Sequence, residues 1–222
     1  MRAILPSIAP AIAALRRDLH AHPELCFHED RTSDLIAKTR TDWGIPVHRG
    51  LGRTGVVGSL VRGVGPAIAL RADMDALPIV EANDVPYKSQ NPGVMHACGH
   101  DLHSSTILGA AILLKAQASE LKGTVRVIFQ PAEEGPPAGE EGGAKMMLAE
   151  GLFANPAPSA IFGLHVWPGE PGQLQVKTEG IMAAADSFQI TVKGKQVHGS
   201  SPWRGIDPIN VTGQLINAIN LI

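Results

Sequence analysis

Side chains able to bind a metal ion or carry a proton cluster in this 222-residue sequence. His96, Cys98, His100 and His103 share the segment Met95-His96-Ala97-Cys98-Gly99-His100-Asp101-Leu102-His103; Glu133 and Glu134 are adjacent; Asp73 and Asp75 alternate; His165 stands alone. Each piece is weak by itself, since a lone cysteine is more often a small core residue and paired glutamates are usually solvated. The three histidines beside Cys98 have no apolar reason to be together, which favours a metal site over a structural cluster. Thiolate, imidazole and carboxylate suit zinc, manganese, cobalt or nickel better than magnesium or calcium. Two such ions sharing a bridging ligand sit roughly 3.5–4 Å apart, activate a water and polarise the carbonyl under attack. One carboxylate must then stay uncoordinated to carry the proton to the leaving group. Adjacent glutamates can divide this labour, because neighbours on an extended backbone point opposite ways. His20, His22, His28 and His48 are given no role.

The elements around these residues agree with that chemistry. Ala67 to Arg71 runs as a strand into Asp73 and Asp75, Thr124 to Gln130 into Glu133 and Glu134, and Ala160 to Leu164 (read as buried) into His165. Strands thus deliver ligand-type side chains just past their C-terminal ends, the edge where open α/β sheets place their sites. Helical spacing marks Ile12 to His20, Glu29 to Trp43, Asp101 to Glu120 and Gly143 to Glu150; Gly55 to Val61 is a further strand. Strands alternating with helices predict an α/β sheet, at least partly parallel. Near Gly180 the pattern changes. Ser187 to Lys193 alternates apolar and polar residues like an antiparallel strand with one wet face, and Asp207 to Ile222 reads as a helix.

Bulk properties exclude other classes. At 44% hydrophobic, 18% charged and net charge −2, the chain can bury a real core and carries no electrostatic footprint for nucleic acid or an anionic membrane. No apolar run approaches the ~18 residues of a membrane span. Two cysteines, Cys26 and Cys98, do not make a disulfide scaffold. The N-terminus, interrupted by Pro6 and Pro10, reads as an amphipathic helix of a cytoplasmic protein rather than a signal peptide.

Arg71-Ala-Asp-Met-Asp-Ala-Leu-Pro78, Met95-His-Ala-Cys-Gly-His-Asp101, Phe129-Gln-Pro-Ala-Glu-Glu-Gly135 and Gly163-Leu-His-Val-Trp-Pro168 resemble the M20 metallopeptidase family. They fit its amidohydrolase branch of hippurate hydrolases, N-acyl-amino-acid amidohydrolases and auxin-conjugate hydrolases, whose usual opening Arg16-Arg-Asp-Leu-His-Ala-His-Pro-Glu-Leu25 matches. The resemblance implies a zinc-peptidase-like α/β mixed sheet flanked by helices, begun by residues 1–180. Residues 181–222 would begin a smaller α+β, ferredoxin-like lid that mediates dimerisation. It implies two divalent ions, manganese first with zinc, nickel or cobalt as alternatives. Cys98 would bridge them, with His100, Glu134 and His165 as further ligands. Glu133 would be general base and acid, and Asp75 would orient the machinery. Asp73, at a place where other branches have a metal histidine, and His96 and His103 would support the ligands from behind. His198 would hold the substrate carbonyl or carboxylate of a partner in a homodimer. The implied reaction is hydrolysis of an N-acyl amino acid amide bond by a metal-activated water.

The family pattern continues beyond the last residue here and supplies a final metal histidine that no position matches, so a C-terminally truncated form is expected. Two other readings follow: a truncated or split fragment that catalyses nothing, or another M20 activity, carboxypeptidase or dipeptidase. The segment Cys98-Gly99-His100 argues against the last, since those branches generally bridge with an aspartate.

Overall fold

A computed structural model of the protein describes residues 4–117, 119–184 and 188–221. The chain divides into two compact units, Met1–Pro168 and Gly169–Ile222. The first contains helices α1 (Leu5–Ala21), α2 (Asp30–Asp42), α3 (His100–Ala116) and α4 (Gly143–Ala149). Its strands are β1 (Val47–Leu51), β2 (Gly55–Arg62), β3 (Ala67–Asp73), β4 (Gly123–Gln130) and β5 (Ala160–Gly163).

The strands form one mixed sheet in the order β1-β2-β4-β3-β5. β1 and β2, and β2 and β4, pair antiparallel, whereas β3 runs parallel to both β4 and β5. Register aligns Asp73 with Gln130 and Arg71 with Gly163, so the chain leaves β3, β4 and β5 at one edge. The sheet is buried on both faces at its centre, as parallel strands require. Val56, Val125, Val127 and Phe129 pack with Ile36, Leu108 and Ala111 of α2 and α3. Val57, Ala69 and Ile128 turn the other way onto Met147 of α4 and Leu152.

The parallel arrangement and the helical layers match the sequence reading, with four differences. α1 begins at Leu5 and runs through Pro10 rather than starting at Ile12; Pro10, its sixth residue, lies inside the helix and removes one i→i−4 hydrogen bond. α3 stops at Ala116 instead of Glu120. β1, with three polar or glycine positions among Val47-His48-Arg49-Gly50-Leu51, lacked a readable alternation and is an edge strand with a register shift between Arg49 and Leu51. β5, expected to be buried, is exposed throughout, with Ile161 and Phe162 each more than half accessible, because among the described residues it pairs with β3 alone.

In the second unit, residues 188–193 form no strand, and Ser187 lies outside the described residues. Lys195 bridges Ile206 there. Helix α5 (Pro208–Ile219) begins where expected but ends at Ile219, with Asn220 as its C-cap, instead of running to Ile222. Asp207 caps its start, its carboxylate accepting from Ile209 N at 2.9 Å and Asn210 N at 3.3 Å. No helix among the described residues is long and apolar enough to cross a membrane.

Candidate metal centre

Two sharp backbone turns aim the polar residues at the sheet edge. Gly99 precedes α3 with φ +90°, and a side chain there would run into Val166 Cγ2. Only glycine meets both demands without strain. His100 then opens α3 fully buried, and His103 and Ser104 follow on its first turn. After β4, Ala132 takes a left-handed φ of +47°, turning the chain so that Glu133 and Glu134 leave the strand direction. Glu29, completely buried, holds that turn: one carboxylate oxygen accepts from Ala132 N at 2.9 Å and the other from the Thr54 hydroxyl at 2.6 Å.

His100 is the hub. Its Nδ1 lies 3.3 Å from Asp75 Oδ1, and its Nε2 lies 3.5 Å from Glu134 Oε1 and 3.7 Å from both Glu133 Oε2 and Asp73 Oδ2. Asp75 also accepts from Glu134 N at 2.9 Å, tying the β3 exit to the glutamate pair. Cys98 Sγ lies 3.3 Å from His165 Nε2. Among the described residues, three trios have ligand atoms within 4.8 Å of one another: Cys98–His100–His165, His100–Glu133–Glu134 and Asp73–His100–His103.

His100 Nε2 and Glu134 Oε1 are buried without a hydrogen-bond partner. Buried polar atoms are normally satisfied, so these atoms fit a cation as the missing partner. The proton affinities point the same way. Burial, with the Glu134 carboxylate beside it, pushes the Cys98 thiol up to about 12; a thiolate forms there only with a cation to offset that cost. Burial works to lower His100, but the Asp75 carboxylate 3.3 Å from its Nδ1 and the charge of Asp73 outweigh it and raise its pKa. Burial raises Glu133, with the charges of Asp73 and Glu134 adding to it, toward the range useful to a base that must also act as an acid.

The remaining sequence-predicted residues divide. Asp73 and His103 belong to the cluster. Burial alone would raise Asp73, yet the His103 bond and the charges of His100 and Arg71 hold it well below the usual carboxylate range. His96 is buried, its ring nitrogens are unpartnered, and burial pushes it down to about 4, but it belongs to none of the trios. His198 lies in the second unit, exposed, its Nδ1 accepting from Ser200 N at 3.2 Å.

Sequence reasoning missed Glu29 and His20. Rather than idling, His20 is buried with Nδ1 2.7 Å from Asp101 Oδ2 and Nε2 3.0 Å from Glu81 Oε1, and Arg16 Nε adds a 3.0 Å contact to Asp101. No local pattern marks either residue, because their partners lie far along the chain.

The family profile described as Peptidase family M20/M25/M40 matches residues 69–217. The chain is 44% identical over 94% of its length to the N-acetylcysteine deacetylase of Bacillus subtilis, covering 54% of that protein. It is 44% identical over 94% of its length to thermostable carboxypeptidase 2 of Saccharolobus solfataricus (52% of that protein), and 42% identical over 94% to the hippurate hydrolase of Campylobacter jejuni (53%). The crystal structure of the Bacillus subtilis YxeP protein, described as a dinuclear metal-binding peptidase of the M20 family, superposes with a TM-score of 0.67 at 44% identity, covering 73% of this chain and 44% of that one. The chain spans about half the length of the curated relatives it matches.

Proposed function

This chain belongs to peptidase family M20/M25/M40, and from that premise we propose that it carries the metal-binding half of an amidohydrolase acting on N-acyl amino acids. The observation that supports this most directly is the buried, unpartnered pair His100 Nε2 and Glu134 Oε1, set between the Cys98–His165 contact and Glu133. Cys98, His100, Glu134 and His165 are the residues that would hold two divalent ions. The mixed thiolate, imidazole and carboxylate set suits manganese or zinc, with nickel or cobalt as alternatives. Bound there, the ions would supply Lewis-acid polarisation of the amide carbonyl and a lowered pKa for the attacking water.

The protein's own groups do the proton work. Glu133 is the general base and acid: its side chain is 40% accessible, open to substrate, while lying 3.7 Å from His100. It takes the proton of the attacking water and passes it to the leaving nitrogen. Asp75 orients both sides of the centre at once, through His100 Nδ1 and Glu134 N. His198 is assigned to the substrate carbonyl or carboxylate within a homodimer, for which its exposed, turn-borne ring is suited. Both cysteines are free, in keeping with a reducing, cytoplasmic setting.

The substrate class rests on the deacetylase and hippurate hydrolase relatives, whose named activities cleave N-acyl amides. The Saccharolobus carboxypeptidase relative, at equal identity, favours a second reading in which peptides with a free C-terminus are cleaved. Hippurate, N-acetylcysteine and a blocked dipeptide offered to metal-loaded and chelator-stripped protein separate them. Metal-dependent release of benzoate or acetate is expected. Cleavage of the dipeptide alone would select the second reading, and no turnover of any substrate by folded, loaded protein would rule out both for this chain.

A further inference from the structure

Of the trios around His100, one is already saturated. The backbone N–H of Val166 donates to His103 Nε2 at 2.9 Å. An amide N–H can only donate, so Nε2 carries no proton and its lone pair is in use. The ring proton is therefore on Nδ1, which lies 2.6 Å from Asp73 Oδ1 and donates to it. The second oxygen of Asp73 accepts from Arg71 Nη1 at 2.7 Å. The His103 and Asp73 side chains are each 1% accessible. Neither His103 nor Asp73 has the orphaned atom that marks His100 and Glu134.

The bonds continue past His103. Val166 is gripped at both backbone groups, because its carbonyl accepts from His165 Nδ1 at 2.7 Å. That contact places the His165 proton on Nδ1 and leaves Nε2 bare, facing Cys98 Sγ at 3.3 Å. Ser104 Oγ, donating to Asp73 O at 2.8 Å, ties the same turn of α3 to the end of β3.

We propose that His103 is a positioning residue that binds no metal: protonated on Nδ1 alone, it straps the loop after β5 to Asp73 and so presents His165 Nε2 to the centre. The strap runs from Arg71 through Asp73, His103 and Val166 to His165, joining β3, α3 and the end of β5. Asp73 acts as its anchor and not as a metal ligand. The role given to His165 rests on the metal-centre reading above; the tautomer of His103 does not.

Two measurements on the purified 222-residue chain test this. With 15N-histidine labelling, two-bond proton–nitrogen NMR correlations should show His103, assigned by its loss in His103→Leu, as the Nδ1–H tautomer both without metal and with zinc. A proton on Nε2, or displacement of its nitrogen shifts to those of a coordinated imidazole on adding zinc, overturns the proposal. Zinc affinity by competition with a chromophoric chelator should fall roughly 10–100-fold in His103→Leu. His103→Gln, whose amide oxygen can accept from Val166 N, should recover part of that loss. Wild-type affinity in a folded His103→Leu, or no recovery in a folded His103→Gln, also overturns it. Should the wild-type chain bind no zinc, the metal-centre reading fails instead, and the tautomer alone decides the strap.

Discussion

Consecutive residues at the start of α3 enter two polar clusters that look alike in composition and differ in kind. Asp101 joins a closed one: His20 meets Asp101 at 2.7 Å and Glu81 at 3.0 Å, and Glu81 also accepts from Ser89 N and Asn83. His100 joins an open one, with Asp73, Asp75, Glu133 and Glu134 at 3.3–3.7 Å and a buried Nε2 that bonds to none of them. Both bury a histidine among carboxylates. In the first both ring nitrogens of the histidine are hydrogen-bonded, although Asp101 Oδ1 is left unpartnered; in the second both ring nitrogens of His100 are unpartnered, and a cation would satisfy Nε2. The partners of the histidine ring nitrogens, and not the mere gathering of His, Asp and Glu, are what separate the two clusters.

The sharpest break between the two should come from Glu133→Gln, which removes the proposed proton carrier but no orphaned atom of His100 or Glu134. Turnover of hippurate by metal-loaded protein is expected to drop by roughly 10²–10⁴-fold, with metal content by mass spectrometry unchanged. His20→Leu should act oppositely. It leaves Asp101 and Glu81 buried without their shared cation, costing roughly 3–5 kcal/mol of stability, read by urea denaturation of the metal-free protein. A loss below 1 kcal/mol would mean the closed cluster is not structural.

Zinc should distinguish them next. Free zinc at a hundred times its Kd should stabilise the wild type by about 2.7 kcal/mol, visible as a raised Tm that vanishes in His100→Ala but persists in His20→Leu. The smallest effect is in pH dependence. The Ser89 amide and the His20 ring hold Glu81 down to about 2 against its burial, so its contribution is full above its ordinary value near 4.5 and fades as pH falls through about 2. The Asp101 bond raises His20 despite burial, so its contribution is full below 6.5 and fades as pH climbs through the raised value. The Tm gap between wild type and His20→Leu should therefore be widest between about pH 4.5 and 6.5 and narrow on both sides. A gap that is flat with pH would show that neither charge contributes.

These clusters also mark what could be read from the sequence. The open one was legible because its members arrive in short local strings: an apolar strand, then Asp73 and Asp75; another, then Glu133 and Glu134; a third, then His165. The grouping of Cys98 with His100 needed no fold at all. The closed cluster was illegible because His20 finds Asp101 81 positions away and Glu81 61 away, with nothing local to mark it. Glu29, 103 positions from Ala132, was hidden in the same way. β1 escaped because an edge strand carries little of the apolar alternation that reveals central ones. The exposure of β5 is a matter of which strands flank it, which its own residues do not encode.

The left-handed turn at Ala132 has a consequence for how variants of this protein would be sorted. A non-glycine residue there stores on the order of 1 kcal/mol. Ala132→Gly would release that strain but widen the freedom of the unfolded chain by a comparable amount. Its Tm should therefore scarcely move, while Glu133 and Glu134, no longer steered by a stiff corner, should lose turnover. A screen that ranks substitutions by melting temperature would pass this one as neutral. Only an assay of the reaction would register the harm.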